Sequence, residues 1–116
     1  MRVSADVVKI LDDMKKLEEE AEKLGKKLGG KERQVRVIYE TVLKSPDLGM
    51  VKPRIMYQAA RHKELQELAN YVSALVDEVR KRGSPGSEEF ESSREMLLNF
   101  LEAVVAYARY YEKFRG

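Results

Sequence analysis

Apolar residues recur at Val7, Ile10, Leu11, Met14, Leu17, Ala21, Leu24 and Leu28, in steps of three and four that place them on one helical face. Ser4 is positioned to cap this first helix and Asp6 falls in its first turn. Gly25 weakens the last turns, and Gly29 with Gly30 ends them. A second helix is predicted over residues 32–44, with Val35, Ile38, Tyr39 and Val42 inward and Arg33, Arg36 and Glu40 outward. KSPDLG (44–49) reads as a turn. Pro53 suits the first position of a third helix, where its missing N–H has no intrahelical partner to lose; that helix carries Ile55, Met56, Ala59 and Ala60.

Leu65, Leu68, Tyr71, Val72, Leu75, Val76 and Val79 predict a fourth helix to about Arg82, and periodicity leaves open whether it continues from the third or bends near RHK (61–63). RGSPGS (82–87) is the clearest linker. Ser87, followed by Glu88 and Glu89, caps a long fifth helix to about residue 113. On that helix Leu97, Phe100, Val104, Tyr107, Tyr111 and Phe114 form one packing stripe, flanked by Leu98, Leu101, Val105 and Ala108. The opposite side runs Glu91, Glu95, Asn99, Glu102, Ala106, Arg109, Lys113, and Tyr110 lies between the faces. No stretch alternates with period two. The expected fold class is all-α: a single-domain bundle of about five helices with a long C-terminal helix.

Composition supports a packed domain, with 43% hydrophobic and 36% charged residues and only three prolines in 116 positions. No cysteine is present, which excludes disulfides, a thiolate nucleophile and cysteine-based metal sites. The longest strongly apolar run, 103–108, is far short of the roughly 20 residues that span a bilayer. MRVSADVVKILDDMKK lacks the apolar stretch of a signal peptide, so a cytoplasmic protein without membrane contact is expected.

Catalytic chemistry finds no candidate set. The single histidine, His62, rules out a two-histidine metal site and reads as a surface or interhelical residue. An all-helical RNase of HEPN type has its arginine and histidine four to six residues apart, whereas Arg54 and His62 have seven residues between them and Arg61 is adjacent. No phosphate-binding glycine loop occurs, and neighbouring acids such as Asp12 and Asp13 point to different sides of a helix. No enzyme, cofactor or metal is expected.

Net charge is only +2, but residues 31–63 carry eight basic and three acidic side chains, a local +5. Such an excess attracts polyanions. Arg33 and Arg36 share one helix face, Lys52, Arg54 and Arg61 surround the third helix, and Arg109 and Lys113 share the polar side of the last. Basic side chains used this way neutralise phosphates. From charge alone, a solvated surface and a polyanion-binding surface both remain open.

Three stretches bear on that choice. VKPRIMYQAAR (51–61), FLEAVVAYARYYEKF (100–114) and RQVRVIYETV (33–42) resemble signature segments of the small helical subunit of type III-A (Csm) CRISPR interference complexes. The chain departs from the usual pattern at Ala60, where glycine is common, at Ala108, where histidine is common, and at Val37, where a basic residue is common. Residues 1–30, a variable N-terminal amphipathic helix, lie outside the resemblance, which is carried by 31–116. The resemblance implies a non-enzymatic subunit of an antiviral RNA-guided complex. It would stack in several copies beside the repeated backbone subunit and the large polymerase-like subunit, binding the backbone of crRNA paired with target RNA. Sequence-independent recognition of such a duplex requires positive charge and shape. It implies phosphate or sugar contacts for Arg36, Lys52, Arg54, Arg61 and Arg109, with Lys113 beside Arg109. Tyr57 and Tyr107, each within an apolar stripe, read as packing residues rather than base-stacking platforms. A helical RNase of HEPN type and a helical adaptor binding only protein are the alternatives.

Overall fold

A computed structural model describes residues 5–114, so the expected Ser4 cap lies outside the described residues. A 3₁₀ segment, Ala5–Leu11, leads into α1 (Met14–Lys27), α2 (Glu32–Leu43), α3 (Val51–Arg61), a short 3₁₀ turn Lys63–Leu65, α4 (Gln66–Arg82) and α5 (Glu88–Lys113). No strand occurs among the described residues. The all-α bundle with a long C-terminal helix is as expected.

The first helix differs from its expectation. It breaks at Asp12 and Asp13, where the Asp13 carboxylate accepts the backbone N–H of Lys16 at 3.2 Å and caps α1. Aspartate competes for backbone donors and therefore favours caps over helix interiors. The break resets the helical phase. Val7, Ile10 and Leu11 are buried on the 3₁₀ segment, Leu17, Ala21, Leu24 and Leu28 face the core beyond it, and Met14, expected inward, is 48% exposed.

The turn between α2 and α3 is held by side chains. The Ser45 hydroxyl donates to the Thr41 carbonyl at 2.8 Å, and Asp47 accepts the Gly49 N–H at 2.8 Å. Leu48 and Met50 both take left-handed backbone conformations (φ 64°), which costs a non-glycine residue about 1–2 kcal/mol. Burial of Leu48 and a bond from Arg80 to its carbonyl at 3.3 Å offset that cost. Met50 precedes α3, so Pro53 is its third residue and not its first. The missing N–H still falls among the unpaired donors of the first turn. After Arg61 the chain bends at extended His62, which settles the relation of α3 to α4.

α5 is the central element, packing against α1, α2, α4 and the N-terminal 3₁₀ segment, while α3 packs against α2 and α4. The Ser87 hydroxyl caps it, accepting the Phe90 N–H at 3.2 Å. Leu97, Phe100, Leu101, Val104, Val105 and Ala108 are buried. The expected stripe ends earlier than its spacing suggests: Phe114 is 59% exposed and rests on Tyr110 with ring centroids 5.0 Å apart. α1 has no further turn opposite it there. Gly25 marks the close approach of α1 to α5, because a Cβ built there would lie 2.3 Å from Cβ of Tyr107. The radius of gyration is 13.3 Å, matching the roughly 13 Å of one compact domain this size.

Candidate nucleic-acid interface

α2 organises the basic surface. Val35, Ile38 and Val42 turn inward, and the 3.6-residue period turns Arg33, Arg36, Val37, Glu40 and Lys44 outward. At its start, Glu32 accepts from Arg36 Nε at 3.2 Å and from Arg109 Nη1 of α5 at 3.3 Å. One carboxylate thus gathers two of the expected arginines. Hydrogen bonding to Arg36 foremost, with Arg109 adding to it, holds the Glu32 carboxyl below its ordinary range, so it stays ionised at neutral pH. Lys113, one turn beyond Arg109, is exposed.

At the other end of α2, Lys44 and Arg54 line one hollow of about 260 Å³ with Val37, Glu40 and Thr41. Arg54 also borders a second hollow, about 360 Å³, lined by Thr41, Met50, Pro53, Tyr57 and Gln58. The guanidinium of Arg61 lies over the Tyr57 ring, 5.8 Å from its centroid. The strip from Arg109 and Arg36 to Lys44 and Arg54 follows about 12 Å of helix between Arg36 and Lys44, at about 1.5 Å per residue. Lys44 was not anticipated as part of it. Its signal was its place on the face of Arg33, Val37 and Glu40.

Lys52 stands apart. It is two positions from Arg54, which is about 200° around a helix. Its ammonium donates to both Asp77 oxygens on α4, at 2.8 and 3.0 Å. The expectation for Tyr57 is corrected: it is 60% exposed. α3 buries Val51, Ile55 and Ala59, a three-residue stripe at a spacing of four that is narrower than expected and leaves position 57 facing outward. Tyr107 is half-buried and stacks on Tyr111, in line with a packing role.

The acidic side of α5 forms a separate surface. Glu91, Glu95, Asn99 and Glu102 line a hollow of about 350 Å³ with Tyr39, Arg94 and Leu98. Arg94 reaches across to donate to the carbonyls of Val42 and Leu43, each at 3.0 Å, and satisfies the end of α2. His62 is half-buried with Glu64 4.0 Å away. Among the described residues no cluster of acids and histidine could hold a metal ion, and no helix is long and apolar enough to cross a membrane.

The protein-family model described as Csm2 Type III-A matches residues 43–113, from the last residue of α2 to the end of α5. No curated protein and no solved structure matches the chain. The basic outer face of α2 before residue 43 lies outside the match, whereas Lys44, Lys52, Arg54, Arg61, Arg109 and Lys113 lie within it. With more than half of its length matched, the chain belongs to the Csm2 Type III-A family and is a subunit of a type III-A CRISPR complex.

Proposed function

We propose that the chain is the non-catalytic small subunit of a cytoplasmic, RNA-guided antiviral complex, binding the backbone of guide and target RNA through the cationic strip along α2. The observation that carries this reading is the alignment of Arg109, Arg36, Lys44 and Arg54 along one helix, with Arg33 on the same face, Lys113 one turn beyond Arg109 and Arg61 two turns along α3 from Arg54. Arg54 and Lys113 make no ion pair among the described residues and are available to phosphates. Arg36, Arg109 and Lys52 must leave carboxylates first. The subunit would scaffold the complex beside its backbone subunit, the large polymerase-like subunit and other copies of itself.

The test is RNA binding by the full chain, alone and in the assembled complex, across a salt series. Combined replacement of Arg36, Arg54 and Arg109 by alanine should weaken binding and flatten the logarithmic salt dependence by about 0.7–0.9 per lost phosphate contact. Helical content should be unchanged, since all three side chains are exposed. Unchanged affinity and slope would sink the assignment. RNA should be bound without cleavage; metal-independent cleavage abolished by His62→Ala would replace this reading with the RNase one.

A further inference from the structure

We propose that Tyr57 is a stacking platform for one unpaired RNA base, with Arg54 and Arg61 holding the phosphates on either side of it. This rests on the RNA-binding reading above and adds a second mode to it: contact with a base face as well as with the backbone.

The placement supports this. Arg54, Tyr57 and Arg61 are spaced by three and four residues, so they form one outward row on α3. Tyr57 is among the most exposed large hydrophobic residues of the fold, at 60%. The Arg61 guanidinium lies over the ring, 5.8 Å from its centroid. Beside the ring is the 360 Å³ hollow, lined by Thr41, Met50, Pro53, Arg54 and Gln58. No carboxylate lines it. An apolar floor from Met50 and Pro53 suits the flat surface of a base, and the Gln58 amide offers a donor and an acceptor to a base edge.

Charge favours RNA over a protein segment as the occupant. Two guanidiniums flank the ring in the third of the chain that carries a net +5. An aromatic ring between arginines is how single-stranded nucleic acid is held without sequence preference, because every base has a π-face. A paired base keeps its faces inside the duplex, so the site selects nucleotides that are single-stranded or displaced from pairing.

The full chain is titrated with a single-stranded oligouridylate and with a blunt RNA duplex, alone and within the assembled complex. Tyr57→Ala should weaken single-strand binding about 5- to 150-fold, the range of one stacked base, and leave duplex affinity and salt slope unchanged. Tyr57→Phe should retain binding. The chain has no tryptophan, so Tyr57→Trp introduces a unique reporter in the isolated chain, and its fluorescence should be quenched by the single strand and not by the duplex. If Tyr57→Ala does not fold, the phenylalanine and tryptophan variants still decide the matter. Wild-type single-strand affinity in Tyr57→Ala, or an unchanged tryptophan signal with RNA bound, overturns the proposal. If Arg54→Ala still weakens duplex binding in that case, the backbone reading survives alone. Failure of the wild type to bind RNA in either state overturns both. Normal RNA affinity with failed assembly assigns Tyr57 to a protein contact and also overturns the proposal.

Discussion

Among the described residues, Glu20 is the charged residue the core admits, 7% exposed on α1. Burial alone would raise its carboxyl pKa. The Tyr71 hydroxyl, donating at 2.9 Å, together with Lys23 and Lys16 at 3.3 and 3.5 Å, outweighs burial and leaves it below its ordinary 4.5. A depressed carboxylate contributes stability above pH 4.5 that is lost as pH falls through the lowered folded value. Glu20→Gln should therefore flatten the acid limb of a denaturation-versus-pH curve. Tyr71 runs the other way: burial, then Glu20, pushes its hydroxyl up to about 12, so its contribution holds below 10 and is lost as pH rises towards 12. Tyr71→Phe keeps the ring stacked on Phe100, with centroids 6.2 Å apart, and removes only the bond. It should cost about 1.5–3 kcal/mol in urea denaturation, as for a hydrogen bond to a charged partner. A loss below that range would assign Glu20 to the lysines alone. None of this was visible in the residue pattern, where Glu20 is one of three consecutive glutamates. Periodicity reports which way a side chain points, not which distant hydroxyl meets it. Tyr57 and Phe114 failed for a related reason: both fit an apolar spacing, but no neighbouring helix covers them.

The helices themselves were legible because long amphipathic runs are bounded by strong signals. Ser87 with Glu88 and Glu89, the SPG linker and the prolines set ends that the structure reproduces within a residue or two. What escaped were features that depend on the neighbouring element. The break at Asp12 is secured by Arg82 of α4, which grips both carboxylate oxygens at 2.7 Å; this charge-assisted pair holds Asp12 below its ordinary pKa. Gly25 was read as a weak point in α1 and is instead where α1 meets the backbone of α5. Gly25→Ala gains about 1 kcal/mol of helix propensity. The added methyl meets Cβ and C of Tyr107 and the Ala108 nitrogen at 2.3–3.0 Å, atoms that no rotamer change can move. Overpacking of this kind costs about 1–3 kcal/mol or more, so the variant should melt lower despite its better helix former. A melting temperature equal to or above wild type would show that α1 can slide on α5, and that the approach is loose.

Over the whole molecule, a net charge of +2 conceals two surfaces of opposite sign, and several of its cations are already held by carboxylates. Glu32 engages Arg36 and Arg109, and Asp77 engages Lys52, so a phosphate approaching these sites competes with an internal anion. The sequence disclosed the basic excess and most of its members, but not this pairing, because Glu32 and Arg109 are 77 residues apart and Lys52 and Asp77 are 25 apart. The competition is measurable. Glu32→Gln frees two guanidiniums without changing side-chain size, and RNA affinity measured by fluorescence anisotropy should rise severalfold at low salt, converging on wild type as salt screens both. Asp77→Asn separates the two halves of the site. If Lys52 meets RNA, its release should raise affinity too; if Lys52 serves only to tie α3 to α4, affinity should hold while thermal stability drops slightly, as for an exposed ion pair worth about 0–1 kcal/mol. A fall in affinity for Glu32→Gln would reverse the argument: the carboxylate would then be holding Arg36 and Arg109 in the pose that binds phosphate, and that end of the strip would owe its alignment to the anion at the start of α2.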